Sequence, residues 1–200
     1  SHQPTMLEQF SNYTSFQIVV MPLLSSRTKD STTIPLVRKL FQTYPTPDSL
    51  LKVPQKVLEK ALYGIGFYKV KARHLKELSK IISEKYNDGV PNTFEELTSL
   101  PGVGRKTANC ILNYAFNKSA IAVDIHVHRI SNRLGWVKTD TPEETEEALK
   151  KIIPTELWTK VNMLFVDHGQ CICQPRKPKC GICPVRKYCE YGKSLKSSKV

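Results

Sequence analysis

Acidic residues are scarce in this sequence. It holds 18 Asp and Glu against 30 Lys and Arg, which gives a formal net charge of +12 and a pI near 9.4. A positive excess of this size favours a polyanionic partner such as nucleic acid or an acidic membrane surface, although it also serves plain solubility.

Long apolar runs are missing as well. No stretch approaches the roughly 18 consecutive apolar residues that a spanning helix needs, and no charged-then-apolar leader opens the chain. We therefore expect a soluble, intracellular protein with no membrane partner. With 200 residues and 40% hydrophobic content, the chain can bury one sizeable core or two small ones, so one or two domains fit.

Alternating strand patterns are almost absent, whereas helix starts recur. Thr46, Thr93 and Thr141 each precede a proline or an acidic first turn, and Glu96 and Glu144 stand at the capping-box position. Apolar residues recur at three- and four-residue spacing in two segments: Val57, Leu58, Ala61 and Leu62, then Leu75, Leu78, Ile81 and Ile82. The strand-like run AIAV (120–123) is too short to count. The sequence predicts an all-α fold with short connections.

Five of the six cysteines lie between positions 171 and 189. Four of them follow the spacing Cys173-x6-Cys180-x2-Cys183-x5-Cys189, so four thiolates converge within 17 residues. Disulfides do not suit an intracellular protein. Zinc also takes four thiolates but commonly uses two Cys-x-x-Cys knuckles, so the spacing slightly favours an iron–sulfur cluster and leaves zinc open. We interpret Cys171 and Cys110 as packing thiols.

The segment LPGVGRKTANC (100–110) combines two glycines with two cations at a helix start. A helix from about Thr93 to Leu100, a Pro-Gly-Val-Gly turn and a second helix from Arg105 predict a helix-hairpin-helix. Gly102 and Gly104 let the backbone approach a ligand, and the N–H groups of the new helix favour phosphate. Arg105 and Lys106 oppose the helix dipole, which indicates that something negative binds nearby. An ordinary tight turn is the structural alternative.

Five segments together resemble the helix-hairpin-helix DNA glycosylases, and most closely their endonuclease III branch. They are LLSSRTKD (23–30), IGFYKVKA (65–72), LPGVGRKTAN (100–109), AVDIHVHRISNR (122–133) and the four-cysteine run. The resemblance spans nearly the whole chain. It implies a bifunctional DNA glycosylase and abasic-site lyase that removes oxidised or damaged pyrimidines from duplex DNA in base excision repair. We expect a monomer associated with DNA in the cytoplasm, nucleoid or nucleus.

The resemblance also implies a two-domain organisation and a cofactor. A six-helix barrel domain covers residues 8–118, with the helix-hairpin-helix at about 93–116. An iron–sulfur domain combines residues 1–7 with 119–200, including a cluster loop (173–189) and a basic tail (192–200). By resemblance, a [4Fe-4S] cluster is bound by Cys173, Cys180, Cys183 and Cys189.

Lys106 and Asp124 fit the chemistry that this resemblance implies. Breaking an N-glycosidic bond builds positive charge on the sugar, so a carboxylate stabilises the transition state and a nucleophile captures C1′. Arg105, the positive helix end and burial under a nucleotide favour the neutral amine. The imine then permits β-elimination, which cuts the strand 3′ to the lesion. The alternatives are a solvated or phosphate-binding Lys106 and a helix-capping Asp124, and both roles of Asp124 can coexist.

Reaching C1′ requires the damaged nucleotide to leave the stack. Where the family commonly has glutamine after "LLS-small", this chain has Arg27, and the IGFY loop supplies Phe67 as an apolar wedge. We expect Ser25, Asp30 and His126 to line the base pocket, with a structural or phosphate contact preferred for His126.

A basic run lies between two cluster ligands and consists of Arg176, Lys177 and Lys179. We expect the cluster to fix a loop in which these cations grip phosphates, and a solvated charge run is the alternative.

Two other functions are compatible with the same scaffold. One is a mismatch-specific glycosylase for T or U opposite G, but Lys106 argues against a monofunctional enzyme. Adenine-specific relatives carry a glutamate before the flipping loop, and VVMPLL (19–24) contains no acid. The other is a non-catalytic iron–sulfur DNA-binding module, which the joint presence of Lys106 and Asp124 disfavours.

Overall fold

The computed structural model describes residues 13–87 and 89–195, apart from the side chain of Asp30. Three sequence predictions therefore lie outside the described residues: the role of segment 1–7, residues 196–200 of the basic tail, and the pocket role of Asp30.

Helices are the regular secondary structure of the described residues, with no β-strand among them. The helices are α1 Ser15–Ser25, α2 Asp30–Thr43, α3 Pro47–Leu51, α4 Gln55–Ala61, α5 Tyr68–Tyr86, α6 Phe94–Thr98, α7 Arg105–Phe116, α8 Ile125–Leu134, α9 Pro142–Ile152, α10 Trp158–Cys171 and α11 Glu190–Ser194. This confirms the all-α prediction. Over the same residues, no helix is long and apolar enough to cross a membrane.

The described chain divides into two compact units between Lys118 and Ser119. In the first unit, α1 is the central helix and packs against α2, α5 and α7. Its buried residues cover nearly its whole surface: Phe16, Gln17, Ile18, Val19, Val20, Met21, Leu23 and Leu24. Helix α5 buries a stripe at three- and four-residue spacing that includes Leu75, Leu78 and Ile82, as the sequence predicts.

The second unit has its own apolar core. The core comprises Ile121, Val123, Val127, Leu149 and Val161. Helix α8 packs against α9, α10 and α11. The run 120–123 is buried but not a strand, and Asn162 Nδ2 donates to the Ala122 carbonyl over 2.9 Å. This anchored segment leads directly into the start of α8.

All three predicted threonine caps are present. Thr46, Thr93 and Thr141 accept backbone N–H bonds at the starts of α3, α6 and α9. The capping box is complete with Glu144, whereas the carboxylate of Glu96 accepts a 2.8 Å bond from the Thr93 hydroxyl. Helix α6 ends at Thr98 rather than Leu100, because the chain turns there into the following hairpin.

Candidate active site

A tight hairpin joins α6 to α7. The Val103 N–H donates to the Leu100 carbonyl over 3.1 Å, and both side chains are buried. Gly102 has a φ of +78°, and a Cβ there would overlap Leu23 of α1, so the turn requires glycine for conformation and for space. Gly104 starts α7 without a side-chain cap, so the first N–H groups of the helix point outward without an oxygen from a capping side chain.

Two cations follow at once on the first turn of α7. Lys106 is exposed. The Arg105 guanidinium lies 4.9 Å from the ring centre of Phe94, which holds it against α6. The predicted helix-hairpin-helix is therefore formed, and it presents the Lys106 amine beside uncapped backbone N–H groups that favour an anion.

Asp124 is the N-cap of α8. Its Oδ1 accepts from the backbone N–H of His126 over 2.8 Å and of Val127 over 2.9 Å. The cap role that the sequence suggested is therefore present. The two bonds fix the carboxylate at the helix start, with its side chain half-buried.

His126 lies against the neighbouring helix. Arg129 Nη2 lies 3.0 Å from His126 Nδ1, and a Cβ at Gly169 of α10 would overlap the imidazole ring. Burial lowers the pKa of His126 below its ordinary value of 6.5; Asp124 opposes this shift and Arg129 adds to it. The neutral, packed ring fits the preferred structural role, and its place in a base pocket stays a prediction.

Arg27 and Phe67 occupy two loops that meet within the first unit. Both are exposed, Phe67 by 62%, and the Arg27 guanidinium lies 5.5 Å from the Phe67 ring centre. Both adopt left-handed backbone, with φ of 54° and 57°, a conformation that costs about 1–3 kcal/mol in non-glycine residues. Phe67 is thus a loop-tip residue, as predicted. The Ser25 hydroxyl bonds the Pro22 carbonyl of its own helix.

The four predicted ligand thiols lie near one another. Burial raises the pKa of the Cys180 thiol, and so do the neighbouring thiols of Cys173, Cys183 and Cys189. The sulfurs also receive donors: Arg133 Nη1 lies 3.4 Å from Cys173 Sγ and the Gly192 N–H lies 3.3 Å from Cys189 Sγ. Such donors stabilise thiolates, so the residues fit a four-thiolate cluster.

A single metal ion is a different case. In the part of the chain that the structure describes, no group of three or more Cys, His, Asp or Glu is arranged to hold one ion.

The two remaining cysteines differ from each other. Cys110 is 1% exposed within α7, which confirms it as a packing thiol. Cys171 is exposed at the end of α10, and its Sγ lies 3.9 Å from Asp167 Oδ1. The packing prediction for Cys171 is therefore wrong, because the last turn of α10 turns this position to solvent.

The basic loop, defined as Arg176, Lys177 and Lys179, lies between Cys173 and Cys180. All three cations are exposed, and the Lys179 N–H closes the loop on the Ile172 carbonyl over 2.9 Å. Neighbouring carbonyls are held from α8: Arg129 Nη2 donates to Cys173 O over 2.9 Å, and Arg133 Nη1 to Gln174 O over 2.7 Å.

Comparison with known proteins identifies the scaffold. Residues 20–155 match the model of the HhH-GPD superfamily base excision DNA repair protein, and residues 173–189 match the iron-sulfur binding domain of endonuclease III. Endonuclease III of Thermotoga maritima is 49% identical over 176 residues, which cover 88% of this chain and 83% of that protein. The chain belongs to the endonuclease III family. It is a base excision repair DNA glycosylase and abasic-site lyase with a [4Fe-4S] cluster.

Other relatives agree with membership of the endonuclease III family. Endonuclease III of Rickettsia conorii is 42% identical over 181 residues, covering 90% of this chain and 86% of that protein. A trapped endonuclease III–DNA covalent intermediate superposes with a TM-score of 0.85 at 38% identity, covering 91% and 86% of the two chains. A thermostable thymine-DNA glycosylase gives 0.83 at 28% identity, covering 92% and 87%.

Sequence reasoning missed several residues of this endonuclease III family member. Arg129 and Arg133 were not singled out, although they bind the carbonyls beside the cluster. Thr28 and Lys71 lie inside the segments LLSSRTKD and IGFYKVKA, but the family resemblance implies no role for either. Lys71 carried a signal, since it lies four residues before Leu75 on the buried stripe of α5.

Proposed function

We propose that this enzyme excises oxidised or otherwise damaged pyrimidines from duplex DNA, and cuts abasic sites, as an intracellular monomer associated with nucleoid or nuclear DNA. The observation that carries the proposal is the exposed Lys106 on the first turn of α7, directly after the glycine hairpin. A strongly basic chain with a net charge of +12 suits a duplex partner.

Lys106 is the proposed nucleophile. Its amine attacks C1′ while the damaged base leaves, and the sugar ring opens to an imine on Nζ. Loss of a C2′ proton then expels the 3′ phosphate, which is β-elimination.

Asp124 is the proposed electrostatic partner. The positive charge that develops on the sugar needs a fixed carboxylate, and the two bonds from the start of α8 hold this one in place. The cap and the catalytic role therefore support each other, since a carboxylate already oriented loses no freedom on reaction.

Arg27 and Phe67 are the proposed occupants of the space that the extruded nucleotide leaves. Their exposure and mutual contact place a flat cation on a flat apolar ring, a combination that stacks well between bases. Ser25, Asp30 and His126 remain the proposed pocket residues.

The cluster has a structural task in this proposal. We assign residues 8–118 to the barrel domain, and residues 1–7 together with 119–200 to the cluster domain. When bound, the [4Fe-4S] group cross-links four cysteines. The chain's own residues then present the basic loop to phosphates, while Arg129 and Arg133 hold the carbonyls at its start.

The test is borohydride trapping on an abasic duplex. Reduction during turnover should cross-link wild-type protein to DNA, and Lys106→Gln should abolish both cross-linking and strand cutting. Lys80→Gln is the matched control, because Lys80 is a 63% exposed lysine paired with Glu84 on α5. Undiminished cross-linking by Lys106→Gln would show that another amine is the nucleophile.

A lesion panel tests the substrate class. Oxidised pyrimidines should be released faster than thymine or uracil opposite guanine. The reverse order would favour a mismatch enzyme, a possibility raised by the likeness to the thymine-DNA glycosylase.

A further inference from the structure

Two loops of the first unit are bonded directly to each other. We define the Arg27 loop as residues 26–29 and the Phe67 loop as residues 62–67. The Gly66 N–H of the second donates to Thr28 Oγ1 of the first over 3.0 Å. A Cβ at Gly66 would lie 3.0 Å from the Arg27 carbonyl oxygen, so the backbones approach as closely as a glycine allows.

A buried ammonium sits underneath this junction. Lys71 is 5% exposed, and its Nζ donates to Leu24 O over 2.8 Å, Ser26 O over 2.6 Å and Thr28 Oγ1 over 3.2 Å. These three acceptors use all three N–H donors of the ammonium. Two of the three lie in the Arg27 loop, while Lys71 itself is one turn from Phe67, whose carbonyl accepts its N–H over 3.0 Å.

The acceptors of Lys71 are all uncharged, which makes the arrangement costly. Burial lowers the pKa of Lys71 below its ordinary value of 10.5. Desolvating an ammonium against neutral oxygens is costly, and the hydrogen bonds that offset this cost also hold their acceptors in place. What these bonds fix is the path of the Arg27 loop relative to the start of α5.

The fixed path carries two strained residues. Arg27 and Phe67 are both left-handed, with φ of 54° and 57°. Such conformations persist only where the surroundings determine them. Thr28 and Lys71 supply those surroundings. Thr28 follows Arg27 and accepts from the Gly66 N–H, next to Phe67, and the Lys71 ammonium bonds Ser26 O and Thr28 Oγ1 on either side of Arg27.

We propose that Lys71 and Thr28 are positioning residues that lock the Arg27 loop and the Phe67 loop into one rigid wedge, so that Arg27 and Phe67 enter the DNA together. The inference rests on the proposed function, in which these two side chains fill the space left by the extruded nucleotide. It adds the hydrogen bonds that set the spacing of Arg27 and Phe67 before DNA binds.

The experiment compares two substrates. One is a duplex with a single abasic site, where the displaced sugar leaves a space in the stack that must be filled. The other is a single-stranded oligonucleotide with an abasic site, which needs Lys106 chemistry but offers no stacked partner to displace. Their rate ratio isolates the wedge from the chemistry, and it cancels any change in the fraction of folded enzyme.

Thr28→Val and Lys71→Met should lower this ratio at least about 10-fold, because displacing a substrate-positioning group by about 1 Å can cost up to about 100-fold. Thr28→Ser keeps the hydroxyl and should restore it. Lys76→Met is the matched control, since Lys76 lies on the same helix and donates to the Val53 carbonyl over 2.5 Å, away from both loops. Its ratio should equal the wild-type value.

Separate outcomes identify which idea fails. If Phe67→Ala lowers the ratio but Thr28→Val and Lys71→Met do not, the positioning role is overturned and the proposed function stands. If neither Phe67→Ala nor Arg27→Ala changes the ratio, the wedge itself is overturned. Thr28→Val carries the test should Lys71→Met fail to fold. In a Phe67→Ala background Thr28→Val should add little, since both changes remove the same wedge.

Discussion

Asp124 combines two roles in one carboxylate, and substitution can separate them. Both cap bonds, of 2.8 and 2.9 Å, go to Oδ1. Asparagine retains an oxygen there and caps helices as well as aspartate. Asp124→Asn therefore loses only the favourable charge at the helix start, about 0.3–1 kcal/mol of stability. Asp124→Ala also loses the cap, which costs about 1 kcal/mol more.

The two variants should behave alike in base release but not in stability. Removing a fixed charge worth about 3 kcal/mol in the transition state slows the reaction by about 100-fold or more. In a chain of this size each kcal/mol lowers Tm by about 2–4 °C. Single-turnover base release and thermal unfolding, measured on wild type and both variants, give the comparison. Near-wild-type release by Asp124→Asn would leave the residue as a cap alone.

Four further outcomes are expected. Purified protein should be yellow-brown with about four irons per chain, and Cys180→Ser should lose colour, iron and thermal stability together. Colourless, iron-free wild-type protein from anaerobic, iron-replete growth would count against the four cysteine ligands. When the basic loop is neutralised one residue at a time, the slope of log affinity for duplex DNA against log salt concentration should become shallower by about 0.9 per lost phosphate contact. An unchanged slope would show that the loop does not contact DNA. The Arg27 side chain can only donate hydrogen bonds, and guanine offers two acceptors, so excision should be faster opposite guanine than opposite adenine. Arg27→Gln should remove this preference. Equal wild-type rates opposite the two bases would refute the prediction. The pKa of His126 in the folded protein lies below 6.5, so unfolding takes up a proton as the pH falls through 6.5. The wild type should therefore lose more stability between pH 7 and pH 5 than His126→Gln. Equal losses in the two proteins over a pH series would contradict this.

The helix starts could be predicted because their physics is local. At Thr46, Thr93 and Thr141 the cap and its N–H partner are three residues apart, so the local sequence is enough to predict the cap. The hairpin at Gly102 is similar, because its turn residues directly determine its backbone. The four-cysteine spacing was likewise readable, since ligands on one short loop must share one site.

The wedge network could not be predicted, because it is non-local. The acceptors of Lys71 lie 43 to 47 positions away along the chain, and no pattern within α5 shows that three oxygens will be there. The packing prediction for Cys171 failed for a related reason: the exposure of a side chain on the last turn of a helix depends on what packs beyond that turn, which the cysteine spacing does not show. The roles of Lys106 and Asp124 stay predictions.

Gly169 has a consequence for how this protein can vary over evolution. Its missing side chain makes room for the His126 ring, which a Cβ would overlap, whereas Gln170 and Cys171, next along α10, are exposed. Mutational tolerance should therefore change abruptly between neighbouring positions. Substitutions should be tolerated at 170 and 171 but not at 169, where even alanine would force either the His126 ring or α10 to shift.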